Sequence, residues 1–149
     1  MVKQKILVVF YSRTGHTKEL AKKISKELNA DLDEVYEKKS RLGIKGFISG
    51  GLGALFRTKS KITFKKNPSQ YDLVVIGTPI WSGNVCPAIR TYLMRNKLNK
   101  VAFFCSCRDK QKKAFKSMKR LSSEPIATAE FIEKIENKNK FHEFIKKLK

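Results

Sequence analysis

The chain predicts an α/β fold, a doubly wound five-stranded parallel sheet ordered 2-1-3-4-5 with helices on both faces. Three observations carry this reading. Strand-like and helix-like segments alternate five times along 149 residues, with no internal repeat and no linker. Tyr71 to Gly77 is an apolar run suited to a strand buried on both faces. An earlier apolar run, Ile6 to Phe10, ends in a short polar loop from which a helical pattern starts at once. The length suits one core, so residues 1–149 are read as a single domain.

The elements follow in order. After the first strand, Leu20, Ala21, Ile24 and Leu28 fall on one face of a helix. Asp31 to Tyr36 reads as a short second strand. Ser40 to Phe56 interleaves Gly43, Gly46, Gly50, Gly51 and Gly53 with apolar residues. Its glycines argue against a stable helix, and only the family resemblance given below implies a broken or tightly packed one. Tyr71 to Gly77 is the third strand, Thr78 to Val85 a loop, and Cys86 to Arg95 a helix with Pro87 in its first turn. Val101 to Cys105 is the fourth strand, followed by a helix to about Leu121. Ile126 to Phe131 is a fifth strand, and Phe141, Phe144, Ile145 and Leu148 make one face of a last helix.

Ligands of such sheets sit beyond the carboxyl ends of the strands, beside strands 1 and 3. Those ends are Ser12 and Thr78, with Ser106 ending strand 4. The first of these loops is rich in phosphate-binding groups. Ser12, Thr14 and Thr17 supply three hydroxyls where strand becomes helix, and Gly15 permits close backbone approach. An ordinary helix cap is the alternative, but three hydroxyls exceed what capping needs. A Walker loop and a three-glycine dinucleotide fingerprint are both absent. Phe10-Tyr11 stands where a phosphoacceptor receiver domain would place clustered acids.

At these residues the chain resembles the flavodoxin family. Val8, Val9, Phe10, Ser12, Gly15, Thr17, Ala21 and Ile24 fill that family's signature without a gap. His16 stands where Asn is common, and Arg13 adds charge to a usually neutral loop. The resemblance implies that Ser12, Arg13, Thr14, Gly15, His16 and Thr17 wrap the phosphate of flavin mononucleotide (FMN). Thr78, Pro79, Ile80, Trp81, Ser82, Gly83 and Asn84 are similar to the flavin-ring loop of short flavodoxin-like proteins, with Trp81 as a wall. Core burial is the competing reading for Trp81. Ser106, Cys107 and Arg108 would face the far edge of the ring. Cys107 is read as a loop thiol without catalytic work, and Cys86, at a helix start, as a thiol of lowered pKa without a base partner. No nucleophile, general base or metal site is expected.

The formal charge of +20 departs from the acidic habit of flavodoxins. It favours anionic partners (an acidic redox protein, nucleic acid or an anionic membrane surface) or else reflects a solvated lysine-rich exterior. Near a flavin it would favour the more negative reduced form. Cys86, Cys105 and Cys107 suit reduced thiols. With no secretory leader after Met1 and no run of roughly 20 apolar residues, the expected compartment is the cytoplasm. The implied function is reversible electron transfer through non-covalently bound FMN, by a monomer or homodimer. The rivals are an FMN-dependent NAD(P)H or quinone reductase and a flavin-free basic module that binds nucleic acid.

Overall fold

A computed structural model describes residues 3–38, 61–81, 83–108, 113–133 and 135–149. The glycine-rich segment read between Ser40 and Phe56, and Ser82 in the second loop, lie outside the described residues. Five strands form the parallel path: β1 (Ile6–Phe10), β2 (Asp31–Glu34), β5 (Leu73–Trp81), β7 (Lys100–Cys107) and β8 (Thr128–Ile132). Their order is β2-β1-β5-β7-β8, the expected 2-1-3-4-5. Two short strands, β3 (Tyr36–Glu37) and β4 (Ile62–Thr63), pair antiparallel beside the sheet. The described helices are α1 (His16–Leu28), α2 (Pro87–Arg95), α3 (Lys113–Leu121) and α4 (Lys138–Leu148).

Side-chain alternation builds a core on each face of the sheet. Val8 and Phe10 of β1, with Leu73 and Val75 of β5, meet Ala21, Ile24 and Leu28 of α1 and Phe144, Ile145 and Leu148 of α4. Leu7, Val9, Val74 and Ile76 meet Ile89, Tyr92 and Leu93 of α2 and Met118 of α3 on the other face. Both faces of the middle strands are therefore dry, which is why they read as unbroken apolar runs. At Gly77 the sheet has no room for a side chain. A Cβ there would stand 2.1 Å from the ring of Phe104 on the neighbouring strand.

Several boundaries differ from the sequence reading. The second strand ends at Glu34, and Tyr36 belongs instead to β3, which pairs with β4. The third strand does not stop at Gly77. It runs on through Trp81 and folds back antiparallel on β6 (Asn84–Val85), so the expected loop from Thr78 to Val85 is mostly a hairpin. The fourth strand continues through Ser106 and Cys107, because β5 and then β8 offer it ladder partners that far. The fifth begins at Thr128, two residues later than expected.

Candidate functional site

The carboxyl ends of β1, β5 and β7 come together, and direct contacts tie their loops to one another. Gly15 sits at φ +105°, a left-handed conformation that favours glycine, and serves as the N-cap of α1. Its amide donates to Ser12 Oγ at 3.0 Å, so the Ser12 side chain folds the loop around the helix start. Helix geometry leaves the first-turn amides, from His16 onward, without carbonyls of their own helix. Thr14 is exposed beside them, while Thr17 is buried. Amides, the Ser12 and Thr14 hydroxyls and one pole of a helix dipole thus gather at this loop, groups chemically suited to an anion.

Thr17 faces inward. Its Oγ1 lies 2.8 Å from Ser106 Oγ, both side chains buried, so the two hydroxyls link the first helix to the end of β7. His16 is half-exposed, with Nε2 4.0 Å from Glu133 Oε2, the outer limit of an ion pair and one only if the imidazole is protonated.

Trp81 ends β5. Tyr11 meets it edge-on, with ring centroids 5.6 Å apart and planes at 85°. The Arg13 guanidinium lies 5.7 Å from the Trp81 ring centroid. Only 8% of Trp81 is exposed, and it belongs to the core cluster beneath α2. Gly83 turns the hairpin at φ +74°. Asn84 uses its own Oδ1 to accept the Val85 amide at 2.8 Å, and Pro79 and Ile80 are half-buried along the strand.

Thr78 and Cys107 do not present their side chains to this concavity. Thr78 is fully buried, and its hydroxyl accepts the Cys86 amide at 3.2 Å and donates to the Pro79 carbonyl at 2.8 Å. Cys107 is buried inside β7, with its thiol pointing to the Phe131 carbonyl at 3.9 Å. It is thus a strand thiol and not a loop thiol. Its pKa is lowered by a hydrogen bond from Cys105, whose own thiol is pushed up by that bond and by burial. Burial also raises Cys86, to about 12, with the Thr78 hydrogen bond opposing. The lowering expected from its place at a helix start is overturned because a fully buried thiolate loses its hydration. Arg108 is exposed just beyond the strand.

Several neighbours of the site carried no signal in the sequence. Glu34 ends β2 and holds Lys18 of α1 at 3.4 Å, while the Tyr36 hydroxyl donates to Glu34 at 2.8 Å. That hydrogen bond raises the Tyr36 pKa. The Glu133 amide closes on the Cys107 carbonyl at 2.8 Å. None of these belongs to a motif, since only the pairing of β2 with β1 and of β8 with β7 brings them to the edge.

No family model and no curated protein sequence matches the chain. Solved structures do. The chain is similar to a flavoprotein from Lactobacillus acidophilus determined in complex with FMN, with a TM-score of 0.73 and 25% identity, covering 86% of this chain and 93% of that one. It is similar to a protein from Bacteroides eggerthii described as a flavoprotein, with a TM-score of 0.75 and 19% identity over 97% of both chains. Two-electron-reduced Megasphaera elsdenii flavodoxin aligns with a TM-score of 0.63 and 15% identity, over 95% of this chain and 96% of its own. The fold is flavodoxin-like.

Proposed function

We propose that this chain is an FMN-binding flavoprotein of the cytoplasm that passes electrons reversibly between partners. The observation that carries the reading is the anion cradle of Ser12, Gly15 and the first turn of α1, set beside the Tyr11–Trp81 pair at the same sheet edge. The phosphate of FMN suits the first feature and its flat ring suits the second. The L. acidophilus flavoprotein known with FMN supports the same assignment.

The fit extends to the backbone. Gly15 keeps its strained φ with nothing within 4 Å of a Cβ, so the constraint there is conformational and the space beside it is open to a ligand. When bound, FMN supplies one- and two-electron chemistry, and the protein supplies position and electrostatics. Ser12, Thr14 and the first-turn amides would hold the phosphate. Trp81, Gly83 and Asn84 would lie along the ring, and Arg108 at its far side. Thr17 and Ser106 would act at one remove, joining the phosphate loop to β7 through their hydroxyls.

Titration of the protein with FMN and with riboflavin, followed by flavin fluorescence, tests the reading. FMN is expected to bind much more tightly, and equal affinities would remove the phosphate assignment. Steady-state oxidation of NAD(P)H with a quinone acceptor separates a carrier from a reductase on the same fold. An acidic redox protein remains the proposed partner, on the strength of the +20 charge.

A further inference from the structure

Among the described residues, a cluster of bases lies at the strand-start end of the sheet. In a doubly wound sheet the crossover helices run back against the strands. Helix ends and strand starts therefore gather at one edge, opposite the candidate site. Each of the four α-helices carries a base in its last turn there: Lys26 on α1, Arg95 on α2, Lys119 and Arg120 on α3, and Lys146 and Lys147 on α4. Lys5 and Lys100 stand at the entries of β1 and β7 on the same edge.

The acids described there offset these bases only in part. Glu124 pairs with Lys119, Glu27 is exposed near the end of α1, and Asp31 and Asp72 keep their charge while accepting from the Tyr71 hydroxyl at 2.6 Å and the Lys5 amide at 2.8 Å. The site edge carries bases as well, among them Arg13, Arg108, Lys113 and Lys138, with Lys18 paired to Glu34 and His16 facing Glu133.

Bases in a last turn are ordinary partners of a helix dipole. That preference explains neither the lysines at the strand entries nor what lies among them. Two large apolar side chains, Met94 and Ile126, are each 46% exposed. Met94 is the last residue but one of α2, and the Ile126 amide donates to the Val101 carbonyl at the start of β7. Both therefore belong to the basic edge. Long cationic side chains around isolated apolar ones suit the surface of an anionic bilayer. The ammonium groups reach lipid phosphates while the apolar tips enter the headgroup boundary. Nucleic acid is held better by arginine forks and stacking aromatics. The named bases are mostly lysine, and none of the large hydrophobics described as exposed at this edge is aromatic.

We propose that this edge, made of strand starts and helix ends, is a docking surface for anionic phospholipid. The candidate site then faces away from the bilayer and stays open to a soluble partner. The proposal stands whether or not that site takes FMN.

Co-sedimentation of the full chain with vesicles tests it, using phosphatidylcholine alone and phosphatidylcholine mixed with phosphatidylglycerol. Binding is expected only to the mixed vesicles and is expected to weaken as salt screens the lysines. Each lysine neutralised should weaken partitioning roughly fivefold. The Lys146→Gln/Lys147→Gln variant should then bind roughly 25-fold less well. Met94→Ser/Ile126→Ser should lower binding with the charge unchanged. Lys113→Gln/Lys138→Gln, at the opposite ends of α3 and α4, should bind as the parent does. No binding to mixed vesicles at low salt overturns the proposal, as does an equal loss in the Lys113/Lys138 variant. Tighter binding to duplex DNA through Lys146 and Lys147 would replace lipid with nucleic acid.

Discussion

Thr17 Oγ1 and Ser106 Oγ lie 2.8 Å apart, buried, across 89 residues of sequence. This bond separates the three hydroxyls of the first loop by role. Thr17 is spent inside the protein, Ser12 shapes the loop, and Thr14 is exposed to whatever the cradle holds. Thr17→Val leaves the Ser106 hydroxyl buried without this partner, at a cost of about 1–3 kcal/mol. Adding Ser106→Ala should recover much of that loss. Denaturant unfolding of the two single variants and the double variant checks it, and strict additivity would show that the two hydroxyls do not interact.

Thr14→Val should behave in the opposite way. Stability should hardly change, while FMN affinity falls about 10- to 100-fold through the loss of one charge-assisted hydrogen bond. Unchanged FMN binding would take Thr14 out of the cradle.

The two glycines of the sheet edge should fail for different reasons. Gly77→Ala drives a methyl into the Phe104 ring and should cost about 1–3 kcal/mol or more, partly recovered by adding Phe104→Leu. Gly15→Ala meets no atom but must hold φ +105°, at a cost of about 1–2 kcal/mol that no change at a neighbour relieves. Thermal unfolding of the pairs distinguishes steric from conformational strain.

Trp81→Phe keeps an aromatic body in the core and removes the indole. If the indole lies along bound flavin, the variant should bind FMN more weakly and let its emission rise. Wild-type affinity with emission quenched as before would leave Trp81 as core alone, which its 8% exposure also accommodates.

Alkaline pH should destabilise the fold. Cys86 titrates at about 12 in the folded protein against an ordinary 9.0, and Tyr71 at about 12 against 10.0, mainly through burial in each case. Between those values the unfolded chain has released protons that the folded chain still holds, so stability falls as pH rises from about 9 towards 12. A flat stability profile from pH 8 to 11 would contradict this.

The sequence by itself determined the architecture. Apolar runs in Ile6 to Phe10 and Tyr71 to Gly77, and helical spacing in Leu20 to Leu28, are local patterns that record which faces must be dry. Alternation of such elements leaves few topologies, and the observed strand order is the expected one. The strand, polar loop and helix start that make the proposed cradle were legible too, because they are contiguous in the chain.

What each side chain does was decided only by the tertiary structure. Thr17 and Thr78 look as available as Ser12 and Thr14 until Ser106 and Cys86 arrive from other elements to take up their hydroxyls. Strand ends at Trp81 and Cys107 depended on how far neighbouring strands offered ladder partners. The same holds for charge. A count of +20 says nothing about place, whereas antiparallel helices bring their last-turn lysines to the edge opposite the cradle. The separation is at least the length of a β-strand, roughly 17 Å, and exceeds a screening length of about 10 Å. Those lysines therefore act on whatever touches that edge and only weakly on the site, because hydrogen bonds and screened charges are short-ranged and folding alone decides which groups come within range.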